Sequence, residues 1–151
     1  MTKEENKALC EKFPFLIPRS VWTGEIISGY DYEVTELDFM PDGWRKAFGI
    51  QLCEELKTAL DKVDTSEIWF PTQIKEKYGE LRWYANWYTK EIEEILDKYS
   101  KLSRKTCIVC GKPATKISTG WISPYCDDCA NNQYEEYIPI DEAYSMYIDF
   151  P

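Results

Sequence analysis

The sequence predicts an α+β fold in which two amphipathic helices pack on a small antiparallel hairpin and a four-cysteine zinc module follows. Apolar residues recur at three- and four-residue steps over 43–62 and 90–103, which is typical of helices with one buried face. Residues 68–85 lie between them and are rich in β-branched and aromatic side chains around a central glycine, which indicates a hairpin. Two Cys-x2-Cys pairs, fifteen residues apart, follow the second helix.

The length of 151 residues suits one domain with a small appended module. We expect a helix and hairpin domain over 1–103, a zinc module over 104–130 and an acidic, tyrosine-rich tail over 131–151. The chain contains no apolar run of the roughly 20 residues that a membrane span requires. Its first residues lack the apolar stretch of a signal peptide, so we expect a cytoplasmic protein with no membrane partner.

A short helix is predicted over residues 3–13. Its inward side chains would be Ala8, Leu9 and Phe13. Pro14 ends it because proline cannot continue a helix.

Residues 20–40 mix apolar side chains with glycines and acids, and we expect them to be irregular or strand-like. The helix over 43–62 follows, with Asp42 as its predicted N-cap. Cys10 and Cys53 lie within apolar helical patterns, so we expect both to be buried as small hydrophobic side chains.

Period-two alternation along the second strand of the hairpin separates a core face from a solvent face. The core face would carry Leu81, Trp83 and Ala85, and the solvent face Arg82, Tyr84 and Asn86. Thr89 is the predicted cap of the helix over 90–103. The apolar stripe of that helix consists of Ile92, Ile95, Leu96, Tyr99 and Leu102.

The two cysteine pairs have the spacing of a four-thiolate zinc site. The predicted ligands are Cys107, Cys110, Cys126 and Cys129. Each pair would lie on a tight turn, with its sulfurs about 2.3 Å from one tetrahedral ion, and Gly111 supplies the backbone freedom of the first turn. Two disulfides or four unrelated thiols are the alternatives. Four thiolates fill the coordination sphere, so the predicted zinc is structural rather than catalytic.

Between the cysteine pairs, residues 114–125 predict a short hairpin around Gly120. Asp127 and Asp128 suit the first turn of a following helix, where negative charge is favoured. A cysteine knuckle, a hairpin and a second knuckle at a helix start form the order of a treble-clef module. A plain zinc ribbon is the alternative.

The composition argues against most catalytic chemistry. The chain has no histidine, which removes the default general base at neutral pH and the commonest ligand of catalytic zinc. The carboxylate pairs Glu76/Glu80 and Glu54/Glu55 are expected to lie on solvated faces. The formal net charge of −9 repels phosphate backbones unless basic residues gather on one face. We therefore expect a protein that is not an enzyme.

Two stretches are candidate binding surfaces. The hairpin combines basic and aromatic side chains that suit a nucleotide or single-stranded nucleic acid, namely Lys75, Lys77, Arg82, Trp83 and Tyr84. The alternative is a sheet whose rings are core and whose charges are solvated. Residues 101–117 hold five positive charges and no acids, whereas residues 118–151 hold seven acids and no Lys or Arg.

The tail interleaves its acids with tyrosines that could serve as anchors for a partner protein. The candidate anchors are Tyr134, Tyr137, Tyr144 and Tyr147. A solvated extension that packs locally through these rings is the alternative.

The order of motifs resembles a family of uncharacterised small zinc-binding proteins of bacteriophages and prophages. The resemblance covers roughly residues 41–130. It is carried by Asp42-Gly43-Trp44, by the segment Gln73 to Tyr84, by Cys-x2-Cys-Gly-x-Pro from Cys107, and by Gly120-Trp121 with Cys126-Asp-Asp-Cys129-Ala130. Position 129 is Cys where the family often has His, and the acidic tail is an addition.

The resemblance implies a viral accessory protein that works in the cytoplasm of the host cell. We expect it to bind a host protein and to inhibit or redirect it, with a defence system as the target. Binding of a nucleotide signal or nucleic acid through the hairpin is the alternative.

Overall fold

Helices and two small antiparallel sheets alternate along the chain, which confirms the predicted α+β class. The structure is a computed structural model and describes residues 1–131 and 136–141. The helices are α1 Lys3–Lys12, α2 Asp42–Trp44, α3 Ile50–Asp61, α4 Lys90–Ser103 and α5 Asp127–Ala130. The strands are β1 Pro71–Lys77, β2 Glu80–Ala85, β3 Lys116–Ser118, β4 Pro124–Tyr125 and β5 Tyr137–Pro139.

Helix α1 begins with a capping box that its sequence supplies. The Glu5 N–H donates to Thr2 Oγ1 at 3.1 Å, and the Thr2 N–H donates back to the Glu5 carboxylate at 2.8 Å. Phe13 is fully buried, as predicted, but the prediction that Ala8 faces inward is wrong. Asn6 lies on the buried face instead, since residues 6, 10 and 13 are one helical turn apart.

The segment between α1 and α2 is irregular, with short 3₁₀ turns at Pro14–Leu16 and Glu36–Phe39. Asn6 supports it from α1, because its Nδ2 donates to the backbone oxygens of Tyr32 at 2.9 Å and Glu33 at 3.2 Å. Hydrogen bonds within the segment and from neighbouring elements therefore fix its shape, without a continuous strand ladder.

The first long helix is interrupted by a π-helical turn at Arg45–Gly49, which joins α2 to α3. The extra residue of such a turn rotates the apolar stripe, so that Ala47 is exposed although its spacing predicts burial. Asp42 is not the N-cap: Pro41 occupies that position, and the Asp42 carboxylate accepts a hydrogen bond from Arg45 at 2.6 Å.

Strands β1 and β2 form the predicted hairpin, with Lys75 opposite Arg82. Tyr78 and Gly79 make its turn, with φ of +53° and +74°, the positive values that a two-residue hairpin turn requires. The predicted alternation is confirmed. Of the residues on β2, Leu81 and Trp83 are buried while Tyr84 is exposed.

Thr89 caps α4 as predicted, since its Oγ1 accepts the Ile92 N–H at 3.2 Å. Leu102 does not belong to the buried stripe and is 43% exposed. Ser103 lies on that face instead, and its hydroxyl accepts the Leu81 N–H at 2.9 Å, which ties α4 to β2. Helices α1 to α4 and the first hairpin share one hydrophobic core, in which Cys10 and Cys53 are buried as expected.

The second sheet has the strand order β4-β3-β5, with both pairings antiparallel. Strands β3 and β4 are the hairpin predicted between the cysteine pairs. Strand β5 comes from the segment predicted as the tail, and its Ile138 lies opposite Ile117. The chain thus returns to the cysteine module after the second knuckle.

Candidate metal centre

The first cysteine knuckle is a tight turn that its own backbone closes. The Cys107 N–H donates to the Lys112 oxygen at 2.8 Å, and the Gly111 N–H donates to the Cys107 oxygen at 3.0 Å. Gly111 has φ of +83°, a conformation that residues with a side chain rarely adopt. The turn therefore directs the thiols of Cys107 and Cys110 to the same side.

The second knuckle is the start of α5. Cys126 occupies the N-cap position, and its sulfur accepts the Cys129 N–H at 3.5 Å. Asp127 and Asp128 lie in the first turn of α5, as the charge pattern predicts. The observed order of knuckle, hairpin and knuckle at a helix start is that of the predicted treble-clef module.

The four thiol sulfurs lie within 4.8 Å of one another, close enough to hold one metal ion. A tetrahedral site with metal–sulfur bonds of about 2.3 Å has sulfur–sulfur edges of about 3.8 Å. The sulfurs of Cys110 and Cys126 are 3.6 Å apart, which fits such an edge. All four cysteines are free thiols, so the disulfide alternative does not describe this structure.

The thiols differ in their electrostatic surroundings. Burial raises the pKa of Cys107, but backbone N–H groups of the two knuckles outweigh it and lower the pKa to about 7. Burial, followed by the neighbouring thiols, raises the pKa of Cys129 to about 12. A metal ion would take all four as thiolates, so binding releases protons and becomes tighter as the pH rises.

The first knuckle rests directly on the start of the long helix. The Gly43 N–H donates to the Ile108 oxygen at 2.9 Å, and Trp44 Nε1 donates to the Thr106 oxygen at 2.9 Å. A Cβ atom on Gly43 would lie 2.2 Å from the Cys107 oxygen, so only glycine fits there. This contact was not predicted, because it joins residues far apart in the chain and the Gly-Trp pair at the helix start does not identify its partner.

The hairpin residues singled out from the sequence do not all face the solvent. Trp83 is 7% exposed and stacks on Trp69 at 6.4 Å within the core, so it is not available to a ligand. Tyr84 is 42% exposed, with the Lys75 ammonium 5.8 Å from its ring centre. The Arg82 guanidinium forms an ion pair with the Glu80 carboxylate at 3.7 Å.

Lys77 also belongs to the candidate hairpin surface. Its ammonium lies 5.6 Å from the ring centre of Tyr78, which is 71% exposed at the tip of the turn. Each of these lysines therefore covers a tyrosine of its own hairpin.

Of the tail tyrosines, only Tyr137 lies within the described residues. Its ring meets Tyr125 edge to face at 6.0 Å, and its hydroxyl donates to the Ala130 oxygen at 2.7 Å. Tyr137 therefore packs against the cysteine module. Tyr134, Tyr144 and Tyr147 lie outside the described residues.

The basic stretch 101–117 is largely matched by acids within the chain. The pairs are Lys101–Asp97 at 2.8 Å, Arg104–Glu80 at 2.7 Å, Lys112–Asp128 at 3.8 Å and Lys116–Asp127 at 3.5 Å. These contacts lower the positive potential that the linear sequence suggests.

Two of the candidate carboxylates are less solvated than expected. The Glu80 side chain is 12% exposed and accepts hydrogen bonds from Arg104 and Ser100. The Glu55 carboxylate accepts from Lys98 and Tyr99, which joins α3 to α4. Each of these carboxylates connects structural elements.

Trp22 marks a further exposed surface that was not predicted from the sequence, because it lies in a turn and is 92% exposed. Its only signal in the sequence is a cluster of large apolar residues without helical or strand period. No helix among residues 1–131 and 136–141 is long and apolar enough to cross a membrane. Comparisons with protein-family models, with curated proteins and with solved structures give no match for this chain.

Proposed function

We propose that this chain is a zinc-stabilised, non-enzymatic binding protein that acts by docking on another protein. The observation that carries the proposal is the combination of a closed four-thiolate site with an ordered surface that exposes large aromatic side chains. The most exposed of them is Trp22 at 92%, which follows Val21 at 56%. Single exposed rings are common on protein surfaces, whereas a tryptophan exposed next to further apolar side chains is typical of an interaction site.

Zinc is the metal that this site fits best. Four thiolates in tetrahedral arrangement select zinc or iron–sulfur chemistry among biological metals. The treble-clef order of the knuckles favours a single zinc ion. Because the protein supplies all four ligands, no position is left for a water or a substrate, and the ion would act as a structural link.

Metal analysis of the purified protein tests this assignment. We expect one zinc per chain by elemental analysis and no absorbance band in the visible range. Iron in place of zinc would contradict the assignment, as would a stoichiometry well below one.

The biological setting that we propose is a phage accessory protein that inhibits or redirects a host factor, with a defence system as the target. The resemblance of its motifs to the phage family supports this setting. The acidic net charge of −9 favours a partner with a basic surface over nucleic acid.

Affinity capture from bacterial lysate tests the protein-binding function. We expect one host protein to be retained in stoichiometric amount after washes at moderate salt. A variant truncated after residue 130 tests the tail as binding element, and Tyr137→Phe, which removes only the hydroxyl bond to Ala130, controls for damage to the module. If no stoichiometric partner is retained by the full chain, the proposed function is wrong.

A second candidate function is binding of a nucleotide or single-stranded nucleic acid on the outer face of the β1–β2 hairpin. The observation in its favour is the exposed Tyr84 ring, which lies beside Lys75. Arg82 lies directly opposite Lys75 on the neighbouring strand. Stacking on one base contributes roughly 1–3 kcal/mol, but the buried Trp83 cannot add a second ring.

Fluorescence anisotropy with a labelled mixed-sequence single-stranded DNA tests this candidate. We expect binding that weakens steeply between 50 and 200 mM salt, by roughly tenfold or more if several phosphates are contacted. Arg82→Ala and Tyr84→Ala should each weaken it, whereas Lys57→Ala on the exposed side of α3 should not. Absence of binding at low salt would exclude this function.

A further inference from the structure

Residues 18–29 form a loop whose own hydrogen bonds hold it in shape, with Trp22 at its tip. The Ser20 N–H donates to the Glu25 oxygen at 2.9 Å, and the Gly24 N–H donates to the Ser20 oxygen at 2.8 Å. The Ser20 hydroxyl accepts the Trp22 N–H at 3.2 Å. The Arg19 guanidinium donates to the Gly24 oxygen at 2.8 Å from inside the loop.

The base of the loop is fixed to the rest of the molecule. Arg19 and Ile26 pair as an isolated antiparallel bridge, and the Ile27 N–H donates to the Pro18 oxygen at 3.2 Å. A Cβ atom on Gly24 would lie 3.8 Å from the Phe70 ring, so the loop also leans on the residues that precede β1. The tip is therefore held in a defined position before any partner arrives, which reduces the entropy cost of binding.

The loop exposes an apolar surface that the fold does not use. Trp22 is 92% exposed, Val21 56%, and Ile26 and Ile27 47% each. Contiguous apolar side chains on the surface mark interaction sites, and tryptophan is enriched among the residues that dominate the binding energy of protein interfaces. A preorganised tryptophan with smaller apolar neighbours is suited to enter a pocket on another protein.

Apart from Arg19, whose guanidinium is turned into the loop onto the Gly24 oxygen, the charged residues of the loop and of the segment that follows it are acidic. Residues 20–40 contain five acids and no Lys or Arg. Asp31 pairs with Lys3, but Glu25 and Glu33 make no ion pair within the described part of the chain. Interfaces match such a potential with the opposite one, so the partner surface should carry Lys or Arg around its pocket.

We propose that the loop 18–29 is the docking element of the protein, and that Trp22 enters an apolar pocket with a basic rim on a partner protein. This inference rests on the proposed protein-binding function and assigns it to a particular surface. A second copy of this chain is a poor occupant, because it would bring the same acids and a net charge of −9. An anionic membrane surface is repelled for the same reason.

Cross-linking from the loop tests the docking element while leaving Trp22 in place. A photo-reactive benzoylphenylalanine replaces Val21, which is 56% exposed, and a matched protein carries it at the exposed Lys57 of α3. In bacterial lysate we expect one protein adduct from position 21 and none from position 57. The cross-linked peptide of the partner should contain Lys or Arg near apolar residues.

Variants then measure the contribution of each feature to affinity for the identified partner. Trp22→Ala should weaken binding by about thirtyfold, and the charge reversals Glu25→Lys and Glu33→Lys should each slow association and weaken it severalfold. Trp121→Ala removes another exposed tryptophan and should leave binding unchanged. Because Trp22 contacts so little of the fold, its variant should keep the thermal unfolding temperature of the parent protein.

The outcomes separate the docking element from the proposed function. If Trp22→Ala retains the partner as well as the parent chain does, the docking element is wrong and protein binding stands. If Trp121→Ala alone abolishes binding, the docking surface lies on the cysteine module and the docking element is wrong. An adduct that consists only of two copies of this chain, or only of lipid, also overturns the docking element. If position 21 gives no adduct while the parent chain retains a partner in affinity capture, the docking element alone is wrong. If the parent chain retains no partner, both the docking element and the proposed function fail.

Discussion

Two regions of this molecule have little regular secondary structure, and they are held in different ways. Residues 106–131 are organised by two cysteine knuckles whose four sulfurs meet within 4.8 Å. Residues 13–40 have no such centre: apolar side chains at both ends of the segment enter the main core, and separate polar contacts fix the backbone between them, among them those of Asn6 and Ser20. The comparison shows that an irregular segment can be ordered by one strong shared interaction or by several weak independent ones.

The two regions should respond differently to the loss of a single contact. Loss of one ligand from a four-thiolate site removes the ion and with it the order of the whole module. Loss of one hydrogen bond from the other segment costs about 1–3 kcal/mol if it leaves a buried group unpaired, and leaves the remaining contacts in place.

Removal of the metal should have the largest effect. Structural zinc contributes on the order of 10 kcal/mol to the folding of such modules. If the site holds the proposed zinc, Cys110→Ser or a strong chelator should abolish metal binding and the hydrogen-exchange protection of residues 106–131. Exchange measured by mass spectrometry checks this, with Cys10→Ser, outside the site, as the control that keeps its zinc. Protection of the module without metal would contradict the comparison.

Gly43→Ala should have the next largest effect, because the new Cβ would lie 2.2 Å from the Cys107 oxygen. We expect a loss of roughly 3 kcal/mol in the free energy of unfolding, since backbone atoms on either side must move apart. Urea unfolding measures it. Gly120→Ala is the matched control, because nothing lies within 4 Å of its Cβ position, and it should change stability by less than about 0.5 kcal/mol.

The distributed mode is tested at Asn6, whose side chain is fully buried and donates to the Tyr32 and Glu33 oxygens. Asn6→Ala should cost about 2 kcal/mol, because two backbone acceptors lose their partner. Hydrogen exchange should rise around residues 30–35 but not in the cysteine module. Lys7→Ala, on the exposed face of α1, should change neither quantity. A rise in exchange over residues 106–131 would show that the two regions are not independent.

The smallest effect on stability is expected from the Glu55 contacts between α3 and α4, and it should depend on pH. Burial raises the pKa of Glu55, but hydrogen bonds from Lys98 and Tyr99 outweigh it and hold the pKa below its ordinary value. A lowered pKa in the folded state contributes stability above the ordinary carboxyl range, and that contribution disappears as the pH falls through the folded value.

Glu55→Gln should therefore lower stability at pH 7 by less than about 1 kcal/mol, and by progressively less as the pH falls below 4. Urea unfolding between pH 3 and 7 checks this dependence. Glu54→Gln is the neighbouring control, since Glu54 forms an exposed ion pair with Lys12. An equal pH dependence for the two variants would contradict the role of the Glu55 contacts.

The parts of the structure that the sequence predicted well are those encoded locally. The helix over 90–103, the Tyr78-Gly79 turn and the four cysteines each carry their signal within a few residues. The misplacements of Ala8, Ala47 and Leu102 arise where a buried polar side chain or a π-helical turn changes which residue faces the core.

The contacts that were missed join residues far apart in the chain. The fit between Gly43 and the Cys107 knuckle, and the pairing of β5 with β3, depend on tertiary geometry that no local pattern encodes. The exposure of Trp22 was also not predicted, because a cluster of apolar side chains without helical or strand periodicity fits a buried segment and an exposed one equally well.

The close fit of Gly43 against the first knuckle couples the metal affinity of the cysteine site to the stability of the helical core. If an occupied site stabilises the helix start, then a well-formed helix start must raise the affinity of the site by the same factor. A destabilising substitution in the distant core would thus lower the affinity of the site, so that a competing chelator takes up more of the ion at equilibrium. The position of that equilibrium would report on the folding of the core.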